Sequence, residues 1–325
     1  MKAIGGYFGL ADYEEGRIFP HQNGILLNTG RNALEYILRS IGEVKRLYLP
    51  YYTCEVVLEP IEKLGVPYTF YHTNLQLEIE GDLEPQQGEY IIANNYYGIK
   101  DAYMPRLAER YGDQLIVDCA QALFAKPIPG IKCFYSTRKY VGVADGGVAY
   151  LGGLPDGKVE VNETDCSAEH DSHLLKRKQL GAEAGFADYQ ANEIKLDHQP
   201  IRWMSEDTKR ILDHIDYDKV VSRRRENFQY LHQALGGRNR LELPPMDSFE
   251  CPMVYPFMTE KDNGLRKKLI ENKVFVAKYW PNVGLKESFE VEFDLANCVI
   301  PIPCDQRYGV KEMDRIIEII KHGNR

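Results

Sequence analysis

The sequence predicts an α/β protein: a mainly parallel central sheet with helices on both faces, followed by a smaller α+β unit towards the C-terminus. Three observations carry that expectation. Strand-like and helical segments alternate across residues 25–150, the pattern of a parallel sheet whose crossovers are helices. Two short apolar runs inside that stretch end on reactive side chains, residues 114–118 on Asp118 and residues 131–136 on Ser136. After a polar segment rich in Gly, Asp and Glu, residues 152–171, the alternation is replaced by helices and isolated strands. The division expected from this is a large domain over residues 1–215, including an N-terminal arm, and a small domain over 216–325.

Each element has its own signal. Asn28 or Thr29 can cap a helix in which Leu34, Ile37, Leu38 and Ile41 recur at helical spacing. Residues 46–49 read as a strand, and Gly65-Val66-Pro67 leads into another at 68–72. A helix is expected at 104–111, after Asn94-Asn95-Tyr96-Tyr97-Gly98. Helices are expected at 205–215 and 217–235, where Val220, Phe228, Leu231 and Leu235 make one apolar stripe that Gly236-Gly237 terminates. Beyond lie a strand at 253–257, a helix at 265–271, a strand at 274–279, a closing strand from Cys298, and a last helix at 310–321.

Composition narrows the classes of function. The 325 residues carry a net charge of −8, which argues against broad electrostatic binding to nucleic acid or to anionic membranes. The start lacks the apolar segment of a secretion signal, and no run approaches the roughly 20 apolar residues that span a bilayer, so a cytoplasmic location is expected. Seven cysteines without a Cys-x-x-Cys pair read as reduced, mostly packed thiols. His170-Asp171-Ser172-His173 is the one local histidine cluster; its polar setting reads as a solvated surface segment rather than a metal site. There is no Gly-x-Ser-x-Gly elbow, P-loop or internal repeat.

The chemistry concentrates at one expected sheet edge. Parallel strands present their carboxyl ends to a shared crevice, so Asp118, Ser136 and Lys139 are expected to converge. A lysine amine is nucleophilic when deprotonated, a state reached near neutral pH beside other cations or when partly desolvated, and it then forms a Schiff base with an aldehyde. A carboxylate at a buried strand end can pair with a protonated pyridine nitrogen, and Gln121 stands three residues on, within reach of a ring oxygen. Taken singly, a solvated Lys139 and a turn-capping Asp118 account for the same residues. The capped helix after Thr29 points free N–H groups outward at Gly30 and Arg31, an anion site by geometry, although an ordinary capped helix has the same form.

Asp118-Cys119-Ala120-Gln121-Ala122, then Ser136-Thr137-Arg138-Lys139, then Asp145-Gly146-Gly147 occur in an order that resembles the DegT/DnrJ/EryC1/StrS aminotransferases. The Asn28-Thr29-Gly30-Arg31 turn and the Pro50-Tyr51-Tyr52-Thr53-Cys54 turn extend the likeness, which is specific between Asn28 and Gly147. Members of that family are fold-type-I pyridoxal-phosphate (PLP) enzymes, many of which aminate keto-sugars carried on nucleotides. The resemblance implies that Asp118 meets the pyridine nitrogen, Gln121 the ring oxygen, and Lys139 the cofactor aldehyde, with Gly30, Arg31 and Ser136 around the phosphate. Cys54 stands where relatives often place the aromatic ring that stacks on the pyridine, leaving Tyr52, Tyr96 or Tyr97 to supply it; packing accounts equally for these tyrosines. Pro200-Ile201-Arg202-Trp203-Met204-Ser205 resembles a family segment but has proline where an asparagine reaches the neighbouring subunit's phosphate.

The expected reaction is therefore a two-half transamination from an amino-acid donor such as glutamate to a small-molecule keto acceptor, by a homodimer. Arg202, Lys278, Tyr279 and Arg307 are the substrate-facing candidates, each also explicable as a core or surface residue. Two alternatives stay open: an elimination or dehydration on the same cofactor, and a non-catalytic PLP-binding regulator on the same fold.

Overall fold

Short runs of β-branched and aromatic residues, separated by amphipathic stretches of about three turns, set the frame. The computed structural model describes residues 2–12, 16–157, 159–260, 264–283 and 289–322. Its first half contains β1 (Ile4–Gly5), β2 (Ile25–Leu27), α1 (Gly30–Ile41), β3 (Arg46–Pro50), α2 (Leu58–Lys63), β4 (Tyr68–Tyr71), β5 (Glu89–Asn94), α3 (Tyr103–Tyr111), β6 (Leu115–Cys119), β7 (Lys132–Ser136) and β8 (Gly147–Leu151). Helices α4 (Ser172–Leu180), α5 (Phe186–Lys195), α6 (Glu206–Leu212) and α7 (Tyr217–Leu235) follow. The chain then runs through β9 (Tyr255–Met258), α8 (Leu265–Glu271), β10 (Val274–Phe275), α9 (Glu290–Cys298), β11 (Val299–Ile302) and α10 (Val310–His322).

Seven strands form the central sheet in the order β2-β8-β7-β6-β5-β3-β4. From β4 to β7 every pairing is parallel, and β8 pairs antiparallel with both β7 and β2. This is the expected mainly parallel sheet, with apolar cores on both faces. Leu34, Ile37 and Leu38 of α1 pack in one core with Leu49, Ile116 and Phe134 of the strands. In the other core, Val220, Phe228, Leu231 and Leu235 of α7 are buried as the stripe requires, but Arg224 on the same helix is also fully buried. Asn94 of β5, Asp118 of β6 and Phe134 of β7 stand in register, which brings the carboxyl ends of these strands to one edge.

The arm closes on the other end of the chain. β1 pairs parallel with β10, and the Gly5 N–H donates to the Tyr308 hydroxyl at 2.8 Å. A Cβ at Gly5, where φ is +77°, would lie 2.2 Å from the Phe275 carbonyl oxygen, so only glycine allows this approach. β9 and β11 make a separate antiparallel pair.

Three expectations are corrected. Residues 172–195, assigned no structure from sequence, form α4 and α5, and His170 and His173 are buried rather than solvated. The strand at 274–279 contracts to Val274–Phe275 because its partner β1 has only two residues. The strand at 253–257 is displaced to Tyr255–Met258, where it pairs with β11. Among the described residues no His/Cys/Asp/Glu group has metal-binding form, and no helix is long and apolar enough to cross a membrane.

Candidate active site

The Lys139 loop is held from behind. β7 ends at Ser136, and Thr137–Lys139 make one tight turn in which the Tyr140 and Val141 N–H groups donate to the Thr137 carbonyl, both at 3.0 Å. The Thr137 N–H donates to the Gly146 carbonyl, and a Cβ at Gly146 would meet the Thr137 hydroxyl at 2.1 Å. Asp145 anchors the returning strand: its buried carboxylate accepts from the Ser205 N–H at 2.7 Å, the Ser205 hydroxyl at 2.6 Å and the Thr208 hydroxyl. Lys139 is thus fixed in backbone while its side chain remains half-buried; among the described residues it makes no hydrogen bond or ion pair.

Asp118, penultimate in β6, is buried and accepts from the Ala120 N–H at 2.8 Å. Burial pushes its carboxyl up, and the nearby Lys139 ammonium works against that rise. The Gln121 side-chain oxygen accepts from the Tyr97 N–H at 2.9 Å, and its backbone carbonyl accepts from the Tyr140 hydroxyl at 2.7 Å. Its Nε2 is buried without an acceptor. The Cys54 thiol is pushed up by burial and lies within the fields of Lys139, Asp118 and Arg31, so the turn that departs from the family pattern does reach the site.

The start of α1 abuts the end of β7: a Cβ at Gly30 would stand 3.4 Å from Ser136 Cβ. Thr29 is the cap, accepting from the Asn32 N–H at 3.1 Å, whereas Asn28 accepts from the Asn32 side chain and from the Arg202 N–H. The first N–H groups of α1 therefore open towards Ser136. The Arg31 side chain does not join them. Its Nη1 donates to Glu59 at 2.6 Å and to Asp197 at 2.8 Å, so its charge is already balanced and only its backbone belongs to an anion site.

Ser136 and Lys139 open into a cavity of about 670 Å³ that is also lined by Tyr279 and Arg307. The other two substrate candidates lie elsewhere. Lys278 is exposed and donates to Asn297 at 2.9 Å, while Arg202 pairs with Glu163 at 2.9 Å and donates to Gln199 at 3.1 Å, neither of which lines the cavity. Tyr52 and Tyr96 belong to the aromatic core: their rings stack at 5.4 Å, Tyr52 bonds the Tyr97 hydroxyl at 2.6 Å, and Tyr96 donates to the Tyr52 carbonyl. Their hydroxyls are consumed in that packing, and neither ring lines the cavity; Asp118, Gln121 and Gly30 are likewise not on its wall. Sequence reasoning missed Tyr7, His173, Arg177 and Tyr189 on the wall. The one available signal was the i, i+4 spacing of His173 and Arg177; the Tyr7–Tyr189 stack, at 5.0 Å and 10°, joins distant segments.

These residues fit PLP on two observations. Among the described residues, Asp118 is a buried carboxylate without a direct ion pair, which suits a pyridinium nitrogen, and Gln121 Nε2 is a buried donor without an acceptor, which suits a ring oxygen. The N-terminus of α1 beside Ser136 suits a phosphate.

No protein-family model and no curated protein matches the chain. Solved structures do. The putative sugar aminotransferase Spr1654 from Streptococcus pneumoniae, in its PLP form, superposes with a TM-score of 0.64 at 15% identity, over 94% of this chain and 88% of that one. The sugar aminotransferase CalS13 from Micromonospora echinospora gives 0.62 at 18% identity, over 92% and 87%. A DegT DnrJ EryC1 StrS aminotransferase from Brucella abortus gives 0.60 at 16% identity, over 91% and 84%. The chain has the fold of these enzymes.

Proposed function

We propose that the protein is a PLP-dependent aminotransferase, moving an amino group from an amino acid such as glutamate to a keto-sugar, carried on a nucleotide, in surface-polysaccharide or amino-sugar biosynthesis. One observation carries the reading: Lys139, without a hydrogen bond or ion pair among the described residues, lies within electrostatic reach of Asp118, a buried carboxylate, at the carboxyl edge of a parallel sheet beside a helix N-terminus. When bound, the cofactor supplies an aldehyde and an electron-withdrawing ring. Asp118 would hold the positive charge of the ring nitrogen, and Gln121 would donate from Nε2 to the ring oxygen. The Gly30 and Arg31 N–H groups and the Ser136 hydroxyl would receive the phosphate. Lys139 Nζ would take a proton from the donor's α-carbon in the first half-reaction and deliver one to the acceptor's keto carbon in the second. The proposed setting is a cytoplasmic homodimer with a large domain over 1–215 and a small one over 216–325; light scattering should give about twice the 37.4 kDa chain mass.

The test begins with protein loaded with PLP and reduced by borohydride, after which peptide mapping should find the label on Lys139. A label on another lysine, or none, overturns the assignment. Loaded protein is then given amino donors, followed by nucleotide-linked 3-keto and 4-keto sugars, while the cofactor absorption is followed. Donors that react without any keto-sugar restoring the starting spectrum would remove the sugar part of the reading. A spectrum that no donor changes would favour the non-catalytic PLP-binding alternative.

A further inference from the structure

Most charges on the cavity wall are already matched. Arg138 donates to Glu193 at 2.7 Å, and Arg307 grips both oxygens of Asp305 at 2.7 and 2.9 Å. Arg224, fully buried, spends its donors on Gln306 and on the carbonyls of Pro252, Met253 and Tyr140. Arg177 on α4 is different. Its Nη2 donates to the Gly5 carbonyl at 2.8 Å; among the described residues no carboxylate pairs with it, and its buried Nη1 has no acceptor. Arg307 adds like charge beside it, and burial together with that neighbour holds Arg177 below its ordinary range.

The surroundings have the form of a carboxylate seat. The guanidinium lies 4.8 Å over the Tyr7 ring, and the arm passes close to Nη1 at Gly6, where a Cβ would stand 3.3 Å away. One turn earlier, His173 is buried with Nδ1 unpartnered and its pKa pushed down to about 4, so it adds no charge at neutral pH. Phe8, Phe275 and Pro303 supply an apolar wall for the body of a ligand. A buried guanidinium N–H without an acceptor is costly, and the planar fork matches a carboxylate better than it matches a single oxygen.

We infer that Arg177 is the carboxylate-binding residue of this cavity, and that it seats the amino donor, an α-amino acid, in front of Lys139. The inference rests on the aminotransferase reading for its donor, but its binding test does not. Titration calorimetry of the full chain with glutarate and with 3-phenylpropionate, carboxylates that have no amino group to react, should show binding of at least one. The corresponding neutral amide should bind at least tenfold more weakly. R177Q should weaken carboxylate binding at least tenfold while borohydride labelling of Lys139 is retained, and R177K should restore part of it. Equal binding of acid and amide by the unaltered protein, no binding of either acid, or a folded R177Q that binds like the parent would each overturn the inference. If R177Q fails to fold, the acid–amide comparison together with R177K decides it, full binding by R177K excluding the fork geometry. Carboxylate binding that needs Arg177 in a protein whose Lys139 is never labelled would sink the aminotransferase reading and leave the carboxylate seat standing.

Discussion

Replacing Asp145 by alanine tests whether the Lys139 loop is held by one buried carboxylate. Asp145 is fully buried, and among the described residues no cation pairs with it; burial pushes its carboxyl up, and the three donors from Ser205 and Thr208 hold that rise in check. In Asp145→Ala the Ser205 N–H loses its acceptor inside the protein, a loss of about 1–3 kcal/mol. Ser205 Oγ keeps its 2.6 Å partner Ser167, and Thr208 Oγ1 can turn towards the same hydroxyl, 3.4 Å away. The cavity left by the carboxyl group adds about 1 kcal/mol, and relief from burying an unpaired ion offsets part of the total. The net expectation is a destabilisation of about 1–3 kcal/mol. Asp145→Asn retains an oxygen for the Ser205 N–H and should cost less, about 1–2 kcal/mol. Urea unfolding at pH 7 reads both as a lower midpoint at unchanged slope. Alanine costing under about 1 kcal/mol, or asparagine costing more than alanine, would refute the anchoring argument.

Asp118→Asn should leave the unfolding midpoint near that of the parent yet abolish most turnover, because an amide cannot hold a pyridinium charge; undiminished turnover in donor assays would remove Asp118 from the site. His21, 2% exposed, donates to the Leu123 carbonyl and lies 3.1 Å from the Tyr150 hydroxyl, and burial lowers its pKa to about 4. Between pH 6.5 and 4 the unfolded chain therefore binds the extra proton, so stability rises with pH there and acidification across the window costs about 3 kcal/mol. The stability difference between the parent and His21→Gln should shrink by that amount from pH 7 to pH 4; a difference that stays flat contradicts the buried, neutral ring. A Cβ at Gly147 would lie 2.1 Å from the Thr29 carbonyl oxygen, whereas one at Gly30 would come no nearer than 3.4 Å to any neighbour, at Ser136 Cβ. Gly147→Ala should cost about 3 kcal/mol in thermal unfolding and Gly30→Ala less than about 1 kcal/mol, and equal effects would argue against that close approach.

What the sequence determined by itself is local and periodic. The runs that became β6 and β7 are short, apolar and punctuated, so both the strands and the residues at their ends, Asp118 and Ser136, could be placed, with Lys139 one turn beyond. Thr29 and the stripe of α1 mark that helix because capping and i, i+4 burial act within a few residues. α7 follows from its stripe in the same way, although Arg224 on it gave no sign that it would be buried, since its acceptors lie on Gln306, Pro252, Met253 and Tyr140. Tertiary structure decided everything that depends on partners distant in the chain. α4 and α5 carry many charges and little apolar periodicity, and they are held by contacts such as Tyr7 on Tyr189 and Arg177 on Gly5, which join the arm to the middle of the chain. Arg31 is neutralised by Glu59 and Asp197, while among the described residues Arg177 pairs with no carboxylate, and nothing within either segment distinguishes the two arginines. Tyr52 and Tyr96 went to the core and Tyr189 and Tyr279 to the cavity wall for the same reason: a tyrosine's neighbours across the sheet, not those along the chain, decide whether its ring packs or faces a ligand.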